Sequence, residues 1–194
     1  LNVTFDYYQI DIDDRIVLTD NLTANRDAAG NPSGGNPGRG IAEILNRAGF
    51  TGISAARFFF NGIDTRTRGF DAIATYRTAI GDSATLSLTA GYNWNDVDIT
   101  GRRTTPGSLA QVPGIDLFGR LESLRIERGQ PRDRINLGAD LEWNWLSATL
   151  RSNRFGEVFT PGATPINDLL LEPKWITDFE LRVRPQNGFA NGLE

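Results

Sequence analysis

Asp11, Asp13 and Asp14 place three carboxylates within the four residues of DIDD (11–14), the kind of grouping that a hard cation such as calcium uses as ligands. An EF-hand loop starting at Asp11 would need Gly at its sixth position and Glu at its twelfth; the chain has Ile16 and Leu22 there. The group is therefore expected to be a solvated strand end, and no metal is assigned. A second cluster, GRLESLRIERGQPRDR (119–134), sets Arg120, Arg125, Arg128, Arg132 and Arg134 among Glu122, Glu127 and Asp133. Guanidinium groups hold carboxylates and phosphates through paired hydrogen bonds. Arg102, Arg103, Arg125 and Arg128, all within the stretch 101–132, are accordingly the candidate contacts for an anionic ligand. Solvation and local salt bridges are the competing explanation. Asp140 and Glu142 share a strand face without a visible partner, so no acid–base pair is assigned to them. GNPSGGNPGRG (30–40) lacks the Gly-Lys-Ser/Thr ending of a phosphate-binding loop and is expected to be a flexible connection.

The missing residue types narrow the chemistry further. The chain has no Cys, His or Met, which removes thiol nucleophiles, disulfides, zinc ribbons and histidine-based triads. It is not expected to be an enzyme or to hold a cofactor. The formal net charge of −4 makes nucleic acid a poor partner for the chain as a whole. Its basic residues are nineteen Arg and one Lys, Lys174.

Six alternating segments must position these side chains. They lie at about 1–14, 62–78, 85–100, 133–144, 146–158 and 174–184, each with apolar and polar residues alternating at the period of a strand. In TLSLTAGYNWN (85–95), Leu86, Leu88, Ala90, Tyr92 and Trp94 take one face while Ser87, Thr89 and Asn93 take the other. In the first segment the apolar phase slips at Tyr7-Tyr8, predicting either a bulge or the passage from one environment to another. A short helix is expected near 40–49, where Ile41, Ile44 and Leu45 fall at helical spacing.

The gaps between the segments run long, short, long, short, long. An up-and-down barrel in an outer membrane has this pattern, with tight turns at one end and long extracellular loops at the other. Compact soluble domains seldom carry structureless loops beyond about 12–15 residues. No segment approaches the roughly 20 apolar residues of a membrane-spanning helix, but barrel strands are only half apolar. Tyr76, Tyr92, Trp94, Trp143, Trp145 and Trp175 lie toward strand ends, where a membrane–water interface favours Tyr and Trp. Leu86 to Trp94 is nine residues, against the 9–11 that a tilted spanning strand needs. Two alternatives remain. One is a soluble β-sandwich carbohydrate-binding module using Tyr92, Trp94, Trp143 and Trp145 as stacking platforms; the other is a porin-type barrel without a plug.

FDYYQIDIDDRIVL (5–18), FFFNGIDTRTRGFDAIATYR (58–77), LTAGYNWNDVDI (88–99), RIERGQPRDRINLGAD (125–140) and PKWITDFELRVR (173–184) together resemble the C-terminal barrel of TonB-dependent outer-membrane receptors. DTRTRGFD and GYNWND carry most of the likeness. The resemblance implies an all-β, antiparallel up-and-down meander: about six strands of a larger barrel of the 22-stranded type, in the outer membrane of a Gram-negative bacterium. Residues 1–194 would form part of the barrel domain, with the plug and TonB box absent from the stretch. The parent would take up a scarce nutrient (siderophore iron, cobalamin or an oligosaccharide), powered by TonB–ExbB–ExbD through the plug. Lipid and lipopolysaccharide would surround the wall. The isolated piece is expected to be oligomeric or edge-paired, since six strands do not close a barrel and open edges recruit strands.

Overall fold

The computed structural model describes residues 1–25, 28–29, 31 and 40–184; most of the glycine-rich tract at 30–40 lies outside the described residues. Six long strands form one antiparallel sheet in chain order: β1 (Asn2–Leu18), β4 (Phe59–Ile80), β5 (Ala84–Arg102), β6 (Asp133–Trp143), β7 (Leu146–Phe155) and β10 (Lys174–Val183). The meander expected from the alternation is present, and each strand overlaps its predicted segment. Shorter elements occupy the long connections. β2 (Leu22–Thr23), α1 (Ile41–Arg47) and β3 (Ala55–Ala56) follow β1; α2 (Arg120–Arg128) follows β5; β8 (Val158–Thr160) and β9 (Leu169–Leu171) follow β7. One helix was expected, and the described residues contain two.

The β6–β7 turn needs two residues, Asn144 and Trp145, because Trp143 pairs directly with Leu146. Asn144 takes φ 41°, the left-handed conformation that Asn tolerates better than most residues. The β4–β5 turn uses Gly81 at φ 59°. Both tight turns are at one end of the sheet, and all three long connections are at the other.

Pairing aligns the apolar residues of all six strands on one face. Phe5, Ala72, Tyr92 and Ile135 share a row; so do Tyr76, Leu88, Ala139, Leu150 and Phe179. Among the described residues nothing covers this face: Phe5 is 65% exposed and Phe179 67%. The second sheet that a sandwich requires is not found there. The opposite face carries Thr4, Asp6, Thr75, Asp71, Asn93, Asn136, Asp140 and Arg151.

Above this belt the two faces exchange character. Gln9, Arg68 and Asp96, then Asp11, Arg66 and Asp98, continue the formerly apolar side, while Ile10, Thr67, Val97, Ile12 and Ile99 continue the formerly polar one. Pairing through Tyr7–Phe70 and Tyr8–Gly69 is unbroken, so the slip at Tyr7-Tyr8 marks a change of surroundings. The register shift lies further on, around Asp13-Asp14, with Asp14 at φ 53°. Tyr8 lies across Gly69, where an added Cβ would stand 2.5 Å from the Tyr8 hydroxyl and 2.5 Å from the Trp94 carbonyl oxygen. Only glycine leaves room for that ring.

The packed core sits at the long-loop end. Leu22, Ile63, Leu117 and Phe118 are buried together, with Val17, Ile41, Phe60, Ile99 and Ile126 packed around them. β4 has 22 residues and β5 has 19, against 11, 10 and 10 for β6, β7 and β10. The extra length of the early strands is what the loop layer packs on.

Candidate functional site

The expected ligand contacts fall in the long-loop layer, and α2 organises it. RLESLRIER is helical for local reasons as well as distant ones. Glu122 lies in the first turn and Arg125 and Arg128 in the last, each favoured by the helix dipole, and Gly119 and Gly129 bracket the segment. Asp20, from the connection after β1, accepts the Gly119 N–H at 2.8 Å and so binds the start of a helix 99 residues away in sequence. Burial pushes the Asp20 carboxyl above the usual aspartate value, with the Gly119 N–H acting against it.

Beyond Trp94–Asp133, where β6 begins, β5 has no strand partner on that side among the described residues. The Ile99 N–H donates instead to Glu127 of α2 at 3.2 Å. The helix thus covers an otherwise open strand edge, a standard protection against unwanted pairing.

α2 joins the other connections by charge. Arg57 donates to Glu122 at 2.5 Å and to the Thr19 carbonyl at 2.8 Å. Arg120 forms a short ion pair with Asp168 and donates to the Gly162 carbonyl at 3.1 Å. The Gly162 N–H returns a bond to Asp168 at 2.9 Å. Hydrogen bonding from Arg120 holds the Asp168 carboxyl below the usual aspartate value, the Gly162 N–H adding to it.

These two carboxyls give opposite pH dependences. Asp168, with its folded value depressed, stabilises the layer above the ordinary aspartate value and loses that contribution as pH falls through the depressed one. Asp20, with its value raised, favours the folded layer as pH falls through the raised value. Exchange protection of the Gly162 amide is therefore expected to collapse only below the ordinary aspartate range, and Asp168→Asn should abolish that acid limb. Hydrogen exchange followed against pH checks this; an identical acid limb in the variant would rule the clamp out.

Each of the four expected arginines has a partner within the chain. Arg102 donates to Ser123 Oγ at 2.7 Å and closely to the Phe118 carbonyl oxygen. Arg103 donates to Asp14 at 2.6 Å and Asp64 at 3.3 Å. Arg125 donates to Glu122 at 2.6 Å one helical turn away. Arg128 lies over the Phe159 ring, 4.3 Å from its centroid. Arg102 ties the layer to the wall, Arg103 joins the end of β5 to β1 and β4, and Arg125 keeps about half its side chain exposed, at 49%. Sequence reasoning missed Arg57, Asp20 and Asp168. The helix itself was signalled by Gly119 and Gly129 and by Leu121 and Leu124 at i, i+3, but its charge density resembles a loop.

The aromatic residues form two bands on the apolar face. Phe70 gathers Phe5, Tyr92 and Trp94, at centroid distances of 5.6, 5.7 and 5.9 Å, with Trp175 on the Tyr92 row. At the turn end, Trp143 and Trp145 meet at 6.1 Å, whereas Tyr76, opposite Leu88 and four residues above the Ala84–Trp143 row, lies between the two bands. Trp94 and the Ala84–Trp143 row are ten residues apart along β5 (94 − 84), about 34 Å at 3.4 Å per residue. A tilt of 35–45° reduces that to about 24–28 Å, matching the ≈ 25 Å apolar band of an outer-membrane barrel. Of the six aromatics expected at strand ends, Tyr92, Trp94 and Trp175 fall in the band toward the long connections and Trp143 and Trp145 in the band at the turns.

The family described as TonB dependent receptor-like, beta-barrel, matches residues 1–191. No curated protein matches the chain.

Proposed function

Because the chain belongs to the TonB-dependent receptor β-barrel family, we propose that its loop layer helps capture a scarce nutrient, of the siderophore-iron, cobalamin or oligosaccharide class, for TonB-driven import. Proteins of this family are outer-membrane receptors and transporters of Gram-negative bacteria rather than enzymes, and the six strands are wall of such a barrel. TonB–ExbB–ExbD would supply the energy through a plug domain. Expressed alone, the sheet would become oligomeric or edge-paired through β1 and β10.

The observation that carries this reading is the asymmetry between the two ends. One membrane-thick apolar belt separates two-to-three-residue turns from a packed, ion-paired layer built on extended strands. A wall that only sealed a pore would not need a folded layer held together by Arg57–Glu122 and Arg120–Asp168. Within it, Arg125 and Arg128 are the proposed contacts for anionic groups of the nutrient, because their guanidiniums retain unused donors. Arg102 would hold the layer in place beneath them, and Arg103 the strand ends that carry it.

Uptake by cells carrying the full-length receptor tests the reading. Transport of one nutrient class should depend on the receptor and vanish when TonB is inactivated. R125Q/R128Q should weaken uptake by roughly tenfold at limiting nutrient, as expected for two charge-assisted hydrogen bonds. Uptake that persists without TonB would indicate a porin-type barrel instead.

A further inference from the structure

On the face opposite the apolar belt, below the loop layer, one aromatic ring stands beside a cluster of planar polar side chains. Tyr8 of β1 lies across Gly69 of β4, and a Cβ on Gly69 would stand 2.5 Å from its hydroxyl. One ring face is thus against the strand backbone, and the residue stays half-buried. Asn95 is the β5 partner of Gly69 in the same row. In the next row down, Asp6, Asp71, Asn93 and Arg134 stand side by side on β1, β4, β5 and β6. An amide chain joins the two rows: Asn95 Nδ2 donates to Asn93 Oδ1 at 3.4 Å, and Asn93 Nδ2 donates to Asp71 at 2.5 Å.

From this grouping we propose that Tyr8, Asn95, Asn93 and Asp71 form a subsite for a pyranose ring of an oligosaccharide nutrient. The inference rests on the nutrient-import reading above and deepens it by naming the class. The free face of the Tyr8 ring takes the C–H face of the sugar, and the polar side chains take its hydroxyls. The two rows are two residues apart along the strands, about 7 Å, so one sugar reaches both at once.

Hydrogen-bonding capacity selects a hydroxyl. Asp6 and Asp71 are directly opposite each other, a like-charge pairing that destabilises a sheet, and Asp6 has no hydrogen-bonding or ionic partner among the described residues. An ionised carboxylate only accepts, whereas each Asn amide has two N–H groups to give. Asn93 and Asn95 each spend one of theirs on a neighbour. The wall therefore offers surplus acceptors beside spare donors, and a hydroxyl, which both donates and accepts, meets the two together.

Charge separates the sugar from its competitors. Among the described residues no Arg or Lys lies on this face of β1, β4 and β5 from the Asp6 row to the Ile12 row. Arg134, across from Asn93 on β6, has its guanidinium over the Phe155 ring, 5.4 Å from the centroid. A ligand with an anionic surface meets two carboxylates here without a counter-charge on those three strands. An acid group elsewhere on the oligosaccharide belongs at Arg125 and Arg128. A cation also suits a Tyr ring beside carboxylates, but an ammonium accepts no hydrogen bond and leaves the Asn93 and Asn95 donors unused.

The test uses the full-length receptor purified in detergent. Its probes are a glycan array of neutral and acidic oligosaccharides, with calorimetric titration of the glycan bound best, and spermidine as the cation. Wild type should bind a glycan. Tyr8→Phe keeps the ring face and should bind as wild type does. Tyr8→Leu still covers Gly69 but offers no ring; it should bind roughly tenfold more weakly, the ratio for one lost aromatic contact, at an unchanged unfolding midpoint. Asn95→Ala should weaken binding as well, and it carries the test should Tyr8→Leu loosen the sheet. Thr75→Ala, on the same face four residues from Asp71, should leave binding unchanged. Binding to no glycan, full affinity in both Tyr8→Leu and Asn95→Ala, or Tyr8-dependent binding of spermidine in place of a glycan would overturn the proposal. TonB-dependent uptake of a nutrient other than a carbohydrate would overturn this inference alone. The absence of any TonB-dependent uptake would overturn the reading it rests on.

Discussion

Phe118→Ala is expected to cost about 3–5 kcal/mol, the range for truncating a buried phenylalanine, and to detach α2 from the wall while the six-stranded sheet stays paired. Phe118 is 3% exposed and stacks on Phe60 at 6.2 Å, inside the cluster with Leu22, Ile63 and Leu117. Its ring also fills the space above Gly62. Its carbonyl receives hydrogen bonds from Arg102 and from Ser123 Oγ at 3.0 Å, so the residue joins the apolar core to the polar frame of the helix. The buried apolar residues among those described all belong to this outer layer, and among the described residues no second core compensates. Hydrogen exchange should therefore rise across 103–132 and at the Gly119 amide, while amides of β6 and β7 keep their protection. Preserved protection in both regions would show that the cluster does not hold the layer.

A pair of neighbouring substitutions should differ by nearly as much. Leu88→Arg puts a charge on the apolar face, six residues below Trp94 and four above the Ala84 row, close to mid-belt. Arginine there costs about 2–4 kcal/mol at the midplane of a lipid-facing strand. Thr89→Arg points to the other face, where it meets the polar surroundings of Asn136 and Gly138, and is expected to change stability little. Urea titration of the full-length barrel folded into lipid vesicles measures both. Equal costs at the two positions would refute the assignment of the faces. In a sandwich both faces would meet water or protein, and the depth dependence expected of lipid would be lost.

How much of this was visible beforehand differs between wall and loops. The strands could be read because Leu86, Leu88, Ala90, Tyr92 and Trp94 alternate at period two, a signal complete within one segment. α1 was legible for the same reason, since Ile41, Ile44 and Leu45 lie within one turn of each other. α2 was signalled only by its bracketing glycines and by Leu121 and Leu124; charge dominates RLESLRIER, and its start is held by Asp20 from another connection. The short strands β2, β3, β8 and β9 were unread, being two or three residues long.

By itself, the sequence determined that six strands alternate, which face of each is apolar, and that connections are long at one end only. These properties are local, because side-chain direction along a strand depends on parity alone. Only the tertiary structure decided what the charged residues do. Arg120 reaches Asp168 across 48 positions and Asp20 reaches Gly119 across 99, and composition does not say which of nineteen arginines will meet which carboxylate. The slip at Tyr7-Tyr8 lies between the two cases. The chain showed that its apolar side changes there; strand pairing showed that the change is the upper edge of the apolar belt across β1, β4 and β5, where the apolar face becomes charged and the opposite face takes up the loops.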